Sequence, residues 1–442
     1  MVNRLLPAEI LGKVFDLLSH SDLKSAVLVC RWWREVGESP LLWTWACLKV
    51  DCSSAAKPCL PELRRPVARM EVRCTNAPNV LRKPDKAVIE EVLLAAARHP
   101  WLREVVICAD LSSVDPELLA WAVIQLERVE MLFTRLGFVQ ILTLLTAITT
   151  EDTHLKSLFL GKGSTHVLAE MDSGVLAAAI ANLVEVRIAN SQLIPEQVEA
   201  IFAALEKPGS RLRKLRFGCN DLASVDPRLL ASVVNKMEEV ELEGAHVTSQ
   251  QITAICTQMT QGTSLRALSL KRIKTWTAQR GHHDIALVDP SLLARAVAQL
   301  EEVKLPVRLG PDKLRAIFAA LNAPTCRLRR LNMSGVNLSS VDAGVMADAV
   351  NMLETADIRI THLTSRQITE ILTRSLAGTS LKELYMPGEP RYWSEVDVPL
   401  RRELVVPDDK RRRELLGRVR RVIPRTEFHR QCQCADCPRW SF

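Results

Sequence analysis

The 442 residues contain no run of eighteen apolar side chains, so no transmembrane helix is expected. The opening MVNRLLPAEI lacks the layout of a signal peptide. The twelve cysteines stand mostly alone and scattered, the usage of a reduced cytosolic or nuclear protein. There is no Gly-rich phosphate loop, no H-E-x-x-H and no G-x-S-x-G elbow. The nine histidines are dispersed apart from His282–His283, and no cysteine stands out as a nucleophile. Net positive charge is also scarce over most of the chain. The formal net charge is +7, but residues 401–442 hold twelve Lys/Arg and six Asp/Glu, which leaves the first four hundred residues near neutrality. A nucleic-acid-binding body is therefore not expected.

What is abundant is tryptophan near the start. Four of the nine fall within residues 5–45, LLPAEILGKVFDLLSHSDLKSAVLVCRWWREVGESPLLWTW. Pro7 suits the first turn of a helix, where its missing N–H costs nothing. Ile10, Leu11, Val14, Phe15 and Leu18 follow at helical spacing. Ser21 and Asp22 offer caps for a second short helix, Leu23 to Val29, and Cys30 to Val36 makes a third. Gly37 and Pro40 end it. So short a piece carries more apolar surface than it can bury alone.

The order Leu-Pro-x-Glu-Ile-Leu, Val-Phe-x-x-Leu, Ser-Asp-Leu, Val-Cys-Arg-x-Trp, Leu-Trp resembles the F-box. The resemblance covers about a tenth of the chain. It implies a module that binds the small Skp adaptor of SCF-type ubiquitin ligases, and through it a cullin. The residues that would carry adaptor binding are Leu6, Pro7, Ile10, Leu11, Phe15, Leu18, Val29 and Trp33. In that family the remainder of the chain selects a protein substrate. The bound conjugating enzyme carries the thioester, so neither catalysis nor a cofactor is expected of this chain.

From Val88 to Met386 the chain repeats. Eleven segments share Leu-x-x-Leu-x-Leu, beginning at Leu102, Leu126, Leu155, Leu183, Leu212, Met237, Leu265, Leu300, Leu328, Leu353 and Leu381. A helical stretch precedes each. A strand plus a helix every twenty-odd residues resembles a leucine-rich-repeat solenoid of the curved, helix-backed kind. The expected fold is thus α/β: a three-helix F-box (1–48), a connector packing on the repeats (49–87, with a strand at Met70 to Cys74), the solenoid (88–387) and a basic tail (388–442).

A longer beat overlies the repeats. Val-Asp-Pro recurs at 114–116, 225–227 and 288–290, with weaker copies at 171–173 and 341–343. Asp caps a helix and Pro suits its first turn, so the motif starts every second helix. The longest interval contains an insertion, TWTAQRGHHDIA at 275–286, expected to form a loop.

Charge alternates as well. The second pattern residue is Arg103, Lys156, Arg213, Arg266, Arg329 or Lys382 in one repeat type, and Glu127, Val184, Glu238, Glu301 or Glu354 in the other. Strands stacked about 4.8 Å apart bring these into an alternating ladder.

The third and fifth pattern residues line the face where solenoids bind partners. Phe159, Lys214, Arg216, Arg330 and Tyr385 are the candidates there. The cations either pair with neighbouring carboxylates or receive an acidic or phosphorylated segment.

In the tail, Lys410, Arg411, Arg412 and Arg413, with the RVRR at 418–421, read as a nuclear import signal, a nonspecific anion contact or a solvated basic helix. His429, Cys432, Cys434 and Cys437 have zinc-ligand chemistry but lack the usual paired spacing, so no metal is assigned. Two alternatives to a ligase receptor stay open: a repeat scaffold with no degradative role, and a nucleic-acid-associated protein driven by the tail. Partners are thus the adaptor, a cullin and an unidentified protein substrate, with no membrane, in the cytoplasm and/or nucleus.

Overall fold

The computed structural model describes residues 7–15, 18, 22, 25–37, 47–51, 68–73, 75–77, 80–81, 86–132, 134–150, 153–161, 167–188, 191–271, 284–306, 309–359, 361–376 and 380–385. Leu6, most of the insertion and the tail, with Lys410–Arg413 and the His429/Cys432/Cys434/Cys437 group, lie outside them. The chain divides into two compact units, Met1–Gln192 and Leu193–Phe442.

The first unit begins with the helix Ala8–Phe15, whose first turn is closed by the Pro7 carbonyl accepting from the amides of Ile10 and Leu11. Of the expected second helix, Leu23 and Lys24 lie outside the described residues and 27–29 form a turn; the expected third is the helix Arg31–Gly37. Parallel strands come next: β1 (Cys47–Asp51), β2 (Arg69–Arg73), β5 (Glu104–Cys108), β6 (Arg128–Met131), β7 (Ser157–Leu160) and β8 (Glu185–Ile188), each bonded to the one before it in this series. A short antiparallel hairpin, β3 (Thr75–Ala77) and β4 (Val80–Leu81), stands apart from them. The sheet therefore starts before the eleven-fold pattern. The strand expected near Met70 is β2, and β1 precedes it, crossing the boundary expected between residues 48 and 49.

The second unit holds β9 (Lys214–Arg216), β10 (Glu239–Glu241), β11 (Ala267–Ser269), β12 (Glu302–Lys304), β13 (Arg330–Asn332), β14 (Thr355–Asp357) and β15 (Glu383–Tyr385), all parallel and paired in sequence order. All eleven segments of the pattern contain a strand, and each strand starts at the third pattern residue. A crossover helix separates successive strands, as parallel pairing requires. The layout is α/β and consistent with a solenoid. The fourth pattern residues, such as Leu215, Val240, Val303 and Leu331, point to the helices and are buried. They supply the shared apolar core.

The Val-Asp-Pro motif and its weaker copies start helices through their aspartates. Asp115 accepts from the Leu118 amide, Asp172 from Val175, Asp226 from Arg228 and Leu229, Asp289 from Leu292, and Asp342 from Gly344 and Val345. Each bond satisfies an N–H that helix geometry leaves orphaned. A second device escapes the repeat pattern. Gln251, in the first turn of helix Ser249–Gln261, accepts from the Thr248 amide at 2.8 Å. Its Nε2 donates to the carbonyls of Leu222 and Val225, at 2.6 and 2.7 Å. One buried amide thus ties a helix start to the loop leading into the preceding Asp-capped helix. Gln367 repeats this with Leu338 and Val341, and Gln140 with Ser112 and Val114. Gln197 holds the same place and is fully buried, and Lys313 stands there in the repeat that follows the insertion.

Candidate partner-binding surfaces

The N-terminal helices enclose a small core of Leu11, Phe15, Ala26 and Val36, with Trp32 and Trp33 packed against it. Phe15 and Trp33 meet edge to face, ring centroids 5.4 Å apart. Gly37 closes the arrangement, because a Cβ there would collide with Val27 and press on Phe15.

The apolar stripe read from the sequence is split by this packing. Leu11 and Phe15 are each 1% exposed and belong to the module's own core, and Trp33 supports them. Ile10, Val14 and Leu18 stay open to solvent, and Pro7 is exposed beside them. Leu28 and Val29 are more open still, at 73% and 63%. Leu28 was not among the expected contacts. Its exposure depends on which side of the second helical turn faces Phe15, and spacing alone does not fix that.

The five candidates on the repeats divide differently. Phe159 is 3% exposed, covered by the Arg128 guanidinium 4.3 Å from its ring centroid, so it offers little surface to a partner. Lys214 Nζ lies 2.7 Å from Glu239, Arg216 Nε 3.7 Å from Glu241, and Arg330 Nε 2.7 Å from Glu302. The hydrogen bond to Glu302 pushes the Arg330 guanidinium further above its ordinary range. Each cation is therefore engaged by a neighbouring strand's carboxylate. Four strand steps, about 19 Å, separate Arg330 on β13 from Lys214 and Arg216 on β9, so the three make no single cluster. Tyr385 donates its hydroxyl to Glu383 at 3.0 Å, with Arg359 5.1 Å from its ring.

The second-position ladder is present in part: five of its eight oppositely charged steps form ion pairs, and among the described residues none joins Glu238 to Arg213 or Arg266, or Glu301 to Arg329. Glu127 sits between Arg103 (2.9 Å) and Lys156 (3.0 Å). Glu354 lies 3.8 Å from Arg329 and 2.7 Å from Lys382, and Arg266 lies 3.9 Å from Glu301. Lys156 holds the Glu127 carboxyl below its usual range, mainly by a direct hydrogen bond, and Lys382 does the same for Glu354. Burial alone pushes the Cys256 thiol up to about 12, so it is inert at neutral pH.

Among the described residues no group of His, Cys, Asp or Glu is placed to hold a metal ion, and no helix is long and apolar enough to cross a membrane. Residues 4–49 match the family model described as F-box-like, which spans the N-terminal helices and their exposed stripe. No curated protein matches the chain.

Proposed function

We propose that this protein is the substrate-recognition subunit of an SCF-type ubiquitin ligase, linking a protein substrate to the Skp adaptor and through it to a cullin. One observation carries the reading: the segment matching the F-box-like family is a small helical module that closes its own core yet leaves Ile10, Val14, Leu18, Leu28 and Val29 in solvent. Adaptor helices laid on this stripe would complete the apolar burial, each side chain contributing roughly 1.5–3 kcal/mol. Leu11, Phe15 and Trp33 act by holding the stripe in shape. The repeats present the substrate, and the chain contributes proximity rather than a catalytic group.

Purified full-length chain mixed with the Skp adaptor and the N-terminal half of a cullin tests this by size-exclusion chromatography. A stoichiometric ternary peak is expected. Failure to bind the adaptor at micromolar concentrations would remove the ligase reading and leave a repeat scaffold. The basic runs at 410–413 and 418–421 direct the chain to the nucleus in the same reading. Microscopy of a tagged chain with those basic residues changed to glutamine checks it, and an unchanged distribution rules it out.

A further inference from the structure

On the strand face of the second unit, long polar side chains line up from strand to strand until β11. The third pattern position runs Lys214, Glu239, Ala267, Glu302, Arg330, and the fifth runs Arg216, Glu241, Ser269, Lys304, Asn332. At β11 both positions are short, and a cavity of about 300 Å³ opens over Ala267 and Ser269. Glu239 and Glu302 flank it on the adjoining strands, with backbones roughly 10 Å apart across β11. Glu241 and Lys304 flank it one step further along. Ser269 in its floor is 5% exposed, and its Oγ is buried without a hydrogen-bond partner. A buried hydroxyl left unpaired is costly and uncommon.

We infer that this notch receives a basic side chain, arginine or lysine, from a protein partner, seated between Glu239 and Glu302 with Ser269 Oγ accepting at the floor. Of the four charges that border the opening directly, three are carboxylates. The outer cations do not offset this, because Lys214 and Arg330 already donate to Glu239 and Glu302, and Arg216 lies against Glu241. Lys304 is 3.8 Å from Glu302, and Arg266 is 3.9 Å from Glu301 at the rim. Over the whole lining four cations balance four carboxylates, so no positive field draws an anion. A carboxylate that accepts one donor has lone pairs for a second. An incoming cation adds a bond to the carboxylates on either side of β11, whereas an incoming phosphate meets those same carboxylates as like charges. The polarity is the reverse of what Lys214, Arg216 and Arg330 suggest when read alone. The strand face thereby selects partners by a basic residue, a property independent of adaptor binding.

The Ala267 methyl lies in the floor and reports directly by ¹³C-methyl NMR of the full-length chain, assigned with Ala267→Gly. The probes are the N-acetyl methylamides of arginine, lysine, citrulline and phosphoserine, titrated at low salt. Arginine and lysine are expected to shift the Ala267 resonance at least tenfold more strongly than citrulline or phosphoserine. Glu239→Gln with Glu302→Gln should remove that response, with folding checked by circular dichroism. Equal response to citrulline, a stronger one to phosphoserine, no response to either cation, or a response that survives the double change would overturn the inference. A partner-free measurement stands beside it. Ala267→Arg supplies its own occupant and should melt above Ala267→Glu; the opposite order also overturns it.

Discussion

In the N-terminal module Leu11 and Phe15 are sealed in a core, while Ile10 and Val14, one position before each, stand in solvent. In the repeats the division is cleaner. Along β9, β10, β12 and β13 the middle residue is buried and its two neighbours are charged or polar. Most polar groups there, Ser269 Oγ being an exception, are satisfied within the chain: aspartates cap helices, glutamines hold loop carbonyls, and carboxylates meet cations on the next strand. One region leaves apolar surface unfinished and the other pairs most of what it presents. Affinity for a partner is therefore cheap to build on the module, where burial alone suffices, and must be argued residue by residue on the repeats.

The sharpest way to break this contrast is to truncate the module's stripe. Ile10→Ala with Val29→Ala removes two exposed anchors without touching the core. Adaptor binding should weaken about a hundredfold or more, because two such side chains contribute ~3 kcal/mol or above at an interface. Isothermal titration calorimetry reads the affinity and circular dichroism the fold. Unchanged affinity would show that this stripe is not the docking surface. Phe15→Ala should abolish binding by a different route, by emptying the module's core.

The next effect falls on the repeats alone. Gln251→Ala strips the partner from the Leu222 and Val225 carbonyls, at a cost of about 1–3 kcal/mol in thermal or denaturant unfolding. Equal melts for Gln251→Ala and the wild type would mean that water replaces the amide fully.

A smaller loss, about 1 kcal/mol, is expected for Asp226→Ala, which deprives Arg228 and Leu229 of their cap. The ladder gives the least. Exposed pairs contribute ~0.2–1 kcal/mol, so Glu127→Gln should cost within that range and less at high salt. Its pH signature is more telling. Lys156 depresses the Glu127 carboxyl in the folded chain, so its contribution is fully present above the ordinary glutamate pKa of about 4.3. It is lost as pH falls through the lower folded value. Glu127→Gln should therefore lower stability by that amount near neutrality and converge on the wild type in acid, which flattens the acid side of the curve; parallel curves would refute the pairing.

Much of this was legible in the sequence. The six-residue pattern located eleven strands because each repeats the same buried leucine rows. Val-Asp-Pro located helix starts because cap chemistry is local. The ladder followed from alternation alone. The glutamine ties went unread although Gln140, Gln197, Gln251 and Gln367 recur with the double repeat. A polar residue on an apolar helix face signals a buried partner, but that partner is a loop carbonyl some 26 to 29 residues earlier, which no local rule reaches. Phe159 occupies a surface position in the pattern and is covered by Arg128 from the next strand, a contact that depends on register. The split of the N-terminal stripe depends likewise on where Trp33 packs. The notch is an absence of side chain, visible in the pattern only once Ala267 and Ser269 are set between β10 and β12.

The glutamine tie sets a quantum for the growth of this architecture. Its donor and its two acceptors lie in adjacent repeats, so half of the pair is not a closed piece of structure. Duplicating or deleting one strand and one helix would sever a tie and place like charges side by side in the ladder. Duplicating two strands and two helices, about 55 residues to judge from the spacing of the capping aspartates, would preserve both. Recombination within such a gene is expected to leave viable products only in steps of the pair, so that relatives would differ in length by multiples of it.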